Sequence, residues 1–506
     1  MWYFHGGIIK INTVEEKYIL SIDQGTTSSR AIIFSPSGKI ISKKQEEYTQ
    51  FYPQKGWVEH DANEIFDTQL KVMRSVLKET GISPEQIAGI GITNQRETTV
   101  VWDKTTGEPI HKAIVWQDKR TAEFCKRLIN EDYESLIRQK TGLPIDSYFS
   151  ATKIWWILDN VPNALERAKN GELLFGTIDT WLIWKLTDGQ VHATDPSNAS
   201  RTLLFNINTS EWDNTLLDIF GIPGDMLPEV KDSNDHFGYI GKELLGANIP
   251  IEAVLGDQQA ALFGQQCWQK GTAKNTYGTG CFLLMNTGSN PVLSENGLIT
   301  TIAWRIDGQM TYALEGSVFI GGAAIQWLRD GLQVINDASE TEALAKSVED
   351  SNGVYVVPAF TGLGAPYWDM EAKGAILGLT RDTTKAHIVR ATLEGIAFQS
   401  KDLLDAMEQD AQVNLRRLKV DGGATANAYL MQFQANILSA EVEVAAVSES
   451  TALGVALLAS ISLGLITDKE LIARLSKGTK YTHKMPPEEV KKRCEGWKEA
   501  VRRVLS

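Results

Sequence analysis

The sequence predicts an α/β protein of two domains facing each other across a cleft. Three observations carry that expectation. A chain of 506 residues far exceeds what one hydrophobic core usually closes, so two domains of roughly 250 residues follow. Short β-branched runs alternate with stretches of helical spacing through the first half, which is the pattern of α/β architecture. A glycine- and hydroxyl-rich turn between two apolar runs also heads each half, at residues 18–34 and again at 273–285.

In residues 18–34, YILSIDQGTTSSRAIIF, the β-branched ends predict two short strands and the polar centre predicts the turn joining them. Gly25 lets the backbone bend and approach a ligand closely. The N–H groups and hydroxyls of Thr26, Thr27, Ser28 and Ser29 can face phosphate oxygens, and Arg30 adds a permanently charged fork. Asp23 is the odd member, because a carboxylate repels phosphate unless a cation lies between, and hydrated Mg²⁺ is the usual mediator. The turn therefore reads as a Mg-nucleotide site, against the alternative of a ligand-free hairpin tip.

Composition narrows the partners. A formal net charge of −13 argues against nucleic acid or an anionic membrane surface, both of which reward clustered Lys and Arg. Cys125, Cys267, Cys281 and Cys494 form no short-spaced pair, so neither a zinc site nor a disulfide framework is indicated. Residues 1–17 lack the pattern of a signal peptide and read as an N-terminal extension. The longest apolar tract, 452–466, is too short for a membrane span and is interrupted by Gly and Ser. It reads as a closely packed interior helix.

After the opening hairpin, residues 38–42 read as continuing strand, 63–77 as helix through Ile65, Leu70, Met73 and Leu77, and 87–93 as a buried strand. That strand runs into Asn94, Gln95, Arg96 and Glu97, just past a carboxyl end, where open α/β sheets place ligands. Arg96 and Glu97 would offer donors and an acceptor to a small hydroxylated molecule; an ordinary surface ion pair is the alternative. Trp116, at a second strand end, could wall a polyol's CH groups or simply fill the core. Tyr148 sits in a polar loop after Pro144, whereas Trp155, Trp156, Trp181 and Trp184 read as packing.

Near Pro250 the composition shifts and a strand-like run meets Gly256, Asp257, Gln258 and Gln259. Asp257 stands where a helix N-cap belongs; its functional reading is a general base between two domains. The second hairpin follows, with Thr276, Gly278, Thr279 and Gly280 at its turn. The two hairpins differ too much in length and sequence to prove duplication. A bend at 321–324 opens a helix carrying Gln326, and helix N-termini favour anions. The strand 418–420 leads into Asp421-Gly422-Gly423-Ala424-Thr425 and a helix presenting Tyr429, Phe433 and Ile437 on one face. A final segment starting at Pro486-Pro487, with Val490, Cys494, Trp497 and Val501 at helical spacing, reads as a docking helix. No Walker A or GxGxxG pattern is present.

The runs DQGTTSSR, GITNQRET, IVWQ, GDQQAALFGQ, KNTYGTGCF, VPAFTGLGAPYW and DGGATAN, in this order, closely resemble the FGGY carbohydrate kinase family and its glycerol-phosphorylating members. The resemblance covers nearly all the chain from Tyr18 onward. It implies two ribonuclease H-like, actin-like ATPase domains flanking an interdomain active-site cleft. Residues 18–255 would form an N-terminal domain with the polyol site and first phosphate turn, and 256–506 a C-terminal nucleotide-binding domain. The implied reaction is ATP-dependent phosphorylation of glycerol to sn-glycerol 3-phosphate in the cytoplasm, by a homodimer or homotetramer with no nucleic-acid partner and no membrane insertion.

By the same resemblance, Asp257 is the base that takes the substrate hydroxyl proton. Arg96, Glu97, Tyr148, Asp257 and Gln258 hold glycerol, with Trp116 and Phe282 as apolar walls. ATP lies against Thr26, Thr27, Ser28, Arg30, Thr279, Gly322, Gln326, Gly423 and Asn427. Asp23 holds Mg²⁺ through water, with Asp257 as a second carboxylate on the ion's side. The sequence departs from the family pattern at Lys119, where relatives carry arginine, and at Pro196-Ser197. Residues 241–248, GKELLGAN, lack both the Gly-Gly-x-Arg signature and the histidine through which some relatives are regulated, so neither control is expected. The alternatives are another sugar kinase of the family or a non-enzymatic actin-like nucleotide-binding protein.

Overall fold

The computed structural model describes residues 16–466 and 478–506; most of the expected N-terminal extension lies outside them. In the first lobe, strand β1 (Tyr18–Gln24) turns back as β2 (Ser28–Phe34), and β3 (Ile40–Glu47) continues the antiparallel ladder. On the other side of β1 lie β4 (Ile87–Asn94) and then β5 (Ile249–Gly256), both parallel. The strand expected at 38–42 thus begins two residues later and runs further, because Gly38 supplies a positive-φ turn first.

The second lobe repeats this plan. Strands β6 (Thr272–Tyr277), β7 (Cys281–Gly288) and β8 (Gln309–Val318) form the antiparallel side, and β9 (Arg417–Asp421) and β10 (Glu441–Val444) the parallel side. Spatial order is β3-β2-β1-β4-β5 in one sheet and β8-β7-β6-β9-β10 in the other, with edge strands added. The duplication that sequence comparison leaves unproven is plain in strand order and direction. Each sheet is ribonuclease H-like, and the pair is the expected actin-like architecture.

Helix α1 (Ala62–Thr80), N-capped by Asp61 and closed by Gly81, covers β2 and β3 with Ile65, Leu70, Met73 and Leu77 buried. Helix α2 (Ser150–Asn160) lies in an aromatic subdomain, where Trp155 stacks on Phe124 at 3.8 Å, whereas Trp181 is fully buried in the core between α1 and the first sheet. Other helices that bear on the cleft are α3 (Asp257–Gly264), α4 (Gly322–Asp330), α5 (Lys385–Ala411), α6 (Ala428–Leu438), α7 (Ser450–Ser462) and α8 (Pro487–Arg502). Helix α8 docks as expected: Trp497 stacks on Phe398 of α5 at 5.2 Å, and its indole N–H donates to Asp402 at 2.6 Å. No helix among the described residues is long and apolar enough to cross a membrane.

The apolar tract at 452–466 is indeed interior, and it joins the lobes. Although it belongs to the second half, α7 covers β1, β4 and β5 of the first sheet and packs against α3. One core cluster accordingly mixes Ile19, Ile32 and Leu255 with Leu284 and Ala313 of the other sheet. Contact is at backbone distance. A Cβ on Gly454 would meet the Ala260 carbonyl oxygen at 1.9 Å, and one on Gly264 the Ser450 carbonyl at 2.2 Å. Gly454→Ala must push the helices apart, and is expected to cost about 1–3 kcal/mol in thermal unfolding, the usual range for overpacking. Gly224→Ala, which meets only Leu217 at 3.5 Å, should be near neutral.

Candidate active site

Both sheets aim the carboxyl ends of their parallel strands at the cleft. Gln24 pairs with Asn94 and Asn94 with Gly256, so the first hairpin turn, residues 95–97 and Asp257 emerge side by side. Across the cleft, Thr276 pairs with Asp421, which sets the second hairpin turn beside the third glycine turn.

The first turn is tight. The Gly25 N–H donates to Ser28 O at 3.0 Å, and the Tyr48 hydroxyl reaches the carbonyls of Gly25 and Thr26 at 2.7 and 2.6 Å. Thr27 is exposed at the tip, whereas Ser28 is buried and accepts from Gln45. Arg30 donates to Asp23 at 3.2 Å and to Glu449, from the second half, at 2.6 Å. Burial pushes the Asp23 carboxyl up to about 6; Arg30 opposes the shift, and Asp257 and Glu449 add to it.

That shift has a stability consequence. Asp23 is protonated in both folded and unfolded chains below pH 3.8, and its folded-state cost grows through the window up to about 6, above which it is full. Asp23→Asn is therefore expected to raise stability at pH 7.5 by up to about 3 kcal/mol. The advantage should vanish as denaturant titrations are repeated toward pH 4.

Arg96 and Glu97 are not a surface pair: both are almost fully buried. Their mutual separation is 3.9 Å, and each has a stronger partner that sequence reading missed. Arg96 grips Glu315 of β8 with two nitrogens, at 2.6 and 3.0 Å, while its Nε lies 3.2 Å from Asp257. Arg201 donates to Glu97 at 2.6 Å and to Glu315 at 3.0 Å. Burial alone would raise the Glu315 carboxyl, but Arg201 and Arg96 hold it at about 2. The missed signal was a carboxylate inside the apolar strand TYALEGSV, where only a partner from elsewhere could satisfy it.

Asp257 is not the N-cap. Gly256 holds that position, and Asp257 is the first residue of α3, its side chain a third exposed, with Oδ1 accepting the Gln258 N–H at 2.7 Å. Burial raises its pKa and Arg96 opposes this. Gln258 accepts from Lys274, a fully buried lysine that also donates to Thr276 at 3.1 Å.

The three aromatic candidates meet. A cavity of about 630 Å³ between the lobes is walled by Trp116, Tyr148, Phe282, Thr279, Glu315 and Trp368. Trp116 lies in the turn after a two-residue strand, edge-on to Tyr148 at 5.4 Å, and its indole N–H donates to Thr26 Oγ1 at 3.0 Å. The aromatic wall is thereby tied to the first phosphate turn.

On the second lobe, Thr279 is exposed at the tip of the β6–β7 hairpin, and the Gly322 N–H donates to Gly278 O at 2.8 Å. Gln326 is exposed one turn into α4. Gly422, at φ 92°, presses so close to Tyr277 that a Cβ would sit 2.4 Å from its carbonyl oxygen; Gly423 faces open space. Asn427 stands at the start of α6. Its side-chain Oδ1 caps the helix by accepting the Leu430 N–H at 2.9 Å, and its Nδ2 donates to Thr341 Oγ1 at 3.0 Å.

Among the described residues no group of three or more His, Cys, Asp or Glu side chains is disposed to hold a metal ion. The carboxylates of Asp23 and Asp257, of which Asp257 raises the cost of ionising Asp23, fit a cation brought in with phosphates and left largely hydrated.

The model of the FGGY family of carbohydrate kinases, N-terminal domain, matches residues 18–264, and that of the C-terminal domain matches 273–463. The chain belongs to the FGGY family of carbohydrate kinases. This FGGY kinase is 58% identical over 489 residues to a glycerol kinase of Brevibacillus brevis, covering 96% of the chain and 98% of the relative. It is 56% identical to glycerol kinase 2 of Thermotoga maritima, covering 97% and 99%. Plasmodium falciparum glycerol kinase with ADP superposes with a TM-score of 0.93 at 39% identity over 97% of this chain and 99% of that one. Gluconate kinase from Lactobacillus acidophilus, at 22% identity and TM-score 0.87 over 96% and 97%, shares the fold.

Proposed function

We propose that this FGGY kinase transfers the γ-phosphoryl group of ATP to a terminal hydroxyl of glycerol, giving sn-glycerol 3-phosphate and ADP, in the cytoplasm during glycerol uptake and catabolism. The observation carrying this reading is 58% identity over nearly the whole of both chains to relatives named glycerol kinase. The aromatic wall around Glu315, which Arg96 grips, is chemically suited to the same substrate.

Phosphoryl transfer through a loose transition state needs little covalent help, so alignment and charge neutralisation dominate. In this mechanism Asp257 accepts the hydroxyl proton as the new O–P bond forms. Arg96, Glu97, Tyr148 and Gln258 orient the polyol, with Trp116 and Phe282 against its CH groups. The backbone and hydroxyls of Thr26, Thr27 and Ser28, with Arg30, face the transferring phosphate, and Thr279, Gly322, Gln326, Gly423 and Asn427 form the nucleotide side. Asp23, with Asp257 nearby, would hold Mg²⁺ through water, and the ion supplies screening of phosphate charge. Lobe closure excludes water and suppresses hydrolysis. The assembly is a homodimer or homotetramer, which sedimentation measures.

ADP release measured with glycerol, xylulose, ribulose, gluconate and no acceptor tests the reading. Glycerol is expected to give the highest kcat/KM. Preference for a pentulose or gluconate would move the assignment within the family, and ATPase activity indifferent to every acceptor would overturn it.

A further inference from the structure

Lys153 lies in the first turn of α2 and is fully buried. Its ammonium donates to three consecutive backbone carbonyls, Ser147 at 2.6 Å, Tyr148 at 2.7 Å and Phe149 at 3.1 Å. These residues form the turn that sets the Tyr148 ring against Trp116. The same segment is anchored to the polyol side of the cleft by Ser150 Oγ, which donates to Glu97 O at 2.9 Å, and by the Ala151 N–H, which donates to Thr202 O at 2.8 Å.

A cation is a costly choice at this position. It sits at the positive end of a helix, where the aligned backbone dipoles disfavour it, and its charge is removed from water. Burial lowers its pKa to about 7 although Glu97, Asp118 and Asp146 favour the charged form. Carbonyls at a turn could be satisfied by a neutral amide or by water at lower cost. The lysine's particular property is its set of three divergent donors on one atom, which fixes three successive peptide planes at once.

We infer that Lys153 is a positioning residue for substrate binding, holding the 147–149 turn so that Tyr148 and Trp116 form a fixed wall of the polyol pocket. This role rests on the glycerol kinase reading. It predicts an effect on polyol affinity and not on nucleotide affinity, because none of the carbonyls that Lys153 holds belongs to the phosphate turns.

The test is steady-state kinetics of Lys153→Met and Lys153→Gln beside the parent, with folding followed by circular dichroism. Lys153→Met, which fills the space without donors, is expected to raise KM for glycerol at least tenfold while KM for ATP and kcat change less than threefold. Lys153→Gln, which restores up to two donors, should recover part of the loss, and carries the comparison alone if the methionine variant fails to fold. Equal changes in both KM values, no change in either, or a loss confined to kcat would overturn the role of Lys153. A parent without glycerol-stimulated ADP release would overturn the functional reading and this role with it, whereas an active parent beside variants with unchanged glycerol KM removes only the role.

Discussion

Asp257→Ala is expected to lower kcat by about 10²- to 10⁴-fold, the range for losing a general base, while the protein folds and binds nucleotide. The geometry explains the separation. Asp257 is the first residue of α3, with Gly256 already occupying the cap position, so alanine removes no helix cap. Its carboxylate lies 3.2 Å from Arg96 Nε, but Arg96 keeps both bonds to Glu315 when that contact is lost. The phosphate turns at residues 25–27 and 278–280 are held by their own backbone bonds and by Tyr48, none of which involves Asp257. Calorimetric titration with ADP should therefore match the parent while glycerol-dependent turnover collapses; near-normal turnover would remove Asp257 from the base role.

Glu315→Gln is expected to cost about 3 kcal/mol of stability, as breaking a buried ion pair from one side does, and to reduce turnover as well. Arg96 and Arg201 are nearly or fully buried and share Glu315. With that charge removed, Asp257 and Glu97 are left to balance two guanidiniums. Arg96 then loses its bidentate partner and leans on Asp257, holding the base away from its substrate. The pH dependence has a definite sign. Glu315 is held at about 2 against an ordinary 4.5, so its contribution is full above pH 4.5 and is lost as pH falls through about 2. Urea titrations of parent and variant should differ most near neutrality and converge in acid. A difference independent of pH would mean that packing, not charge, links the lobes at Glu315.

Local chemistry made part of this molecule legible in its sequence. The first hairpin is written in 17 consecutive residues, and its β-branched arms and Gly25 turn fold where their pattern predicts. The third glycine turn and the docking of Trp497 and Val501 are legible for the same reason. What escaped depends on distant segments meeting. Arg201 and Glu315 are 114 positions apart, and neither carries a motif; only the register of β8 against the cleft brings them to Arg96. Helix α7 reads correctly as interior, but nothing within it says that it covers the other lobe's sheet. Asn427 was named through the family resemblance alone, and its capping of α6 depends on a helix start that the turn before it does not mark. Asp257 shows the reverse: cap propensity pointed one residue off, because Gly256, which brings the backbone close to Arg96, already held the position.

The most direct measurement is the fate of the γ-phosphorus, followed by ³¹P NMR with ATP, Mg²⁺ and glycerol. Glycerol 3-phosphate is predicted to accumulate in one-to-one ratio with ADP, and no ADP should form at a comparable rate when glycerol is withheld. ADP accompanied by inorganic phosphate, with or without glycerol, would contradict an Asp257-based transfer in a cleft that excludes water.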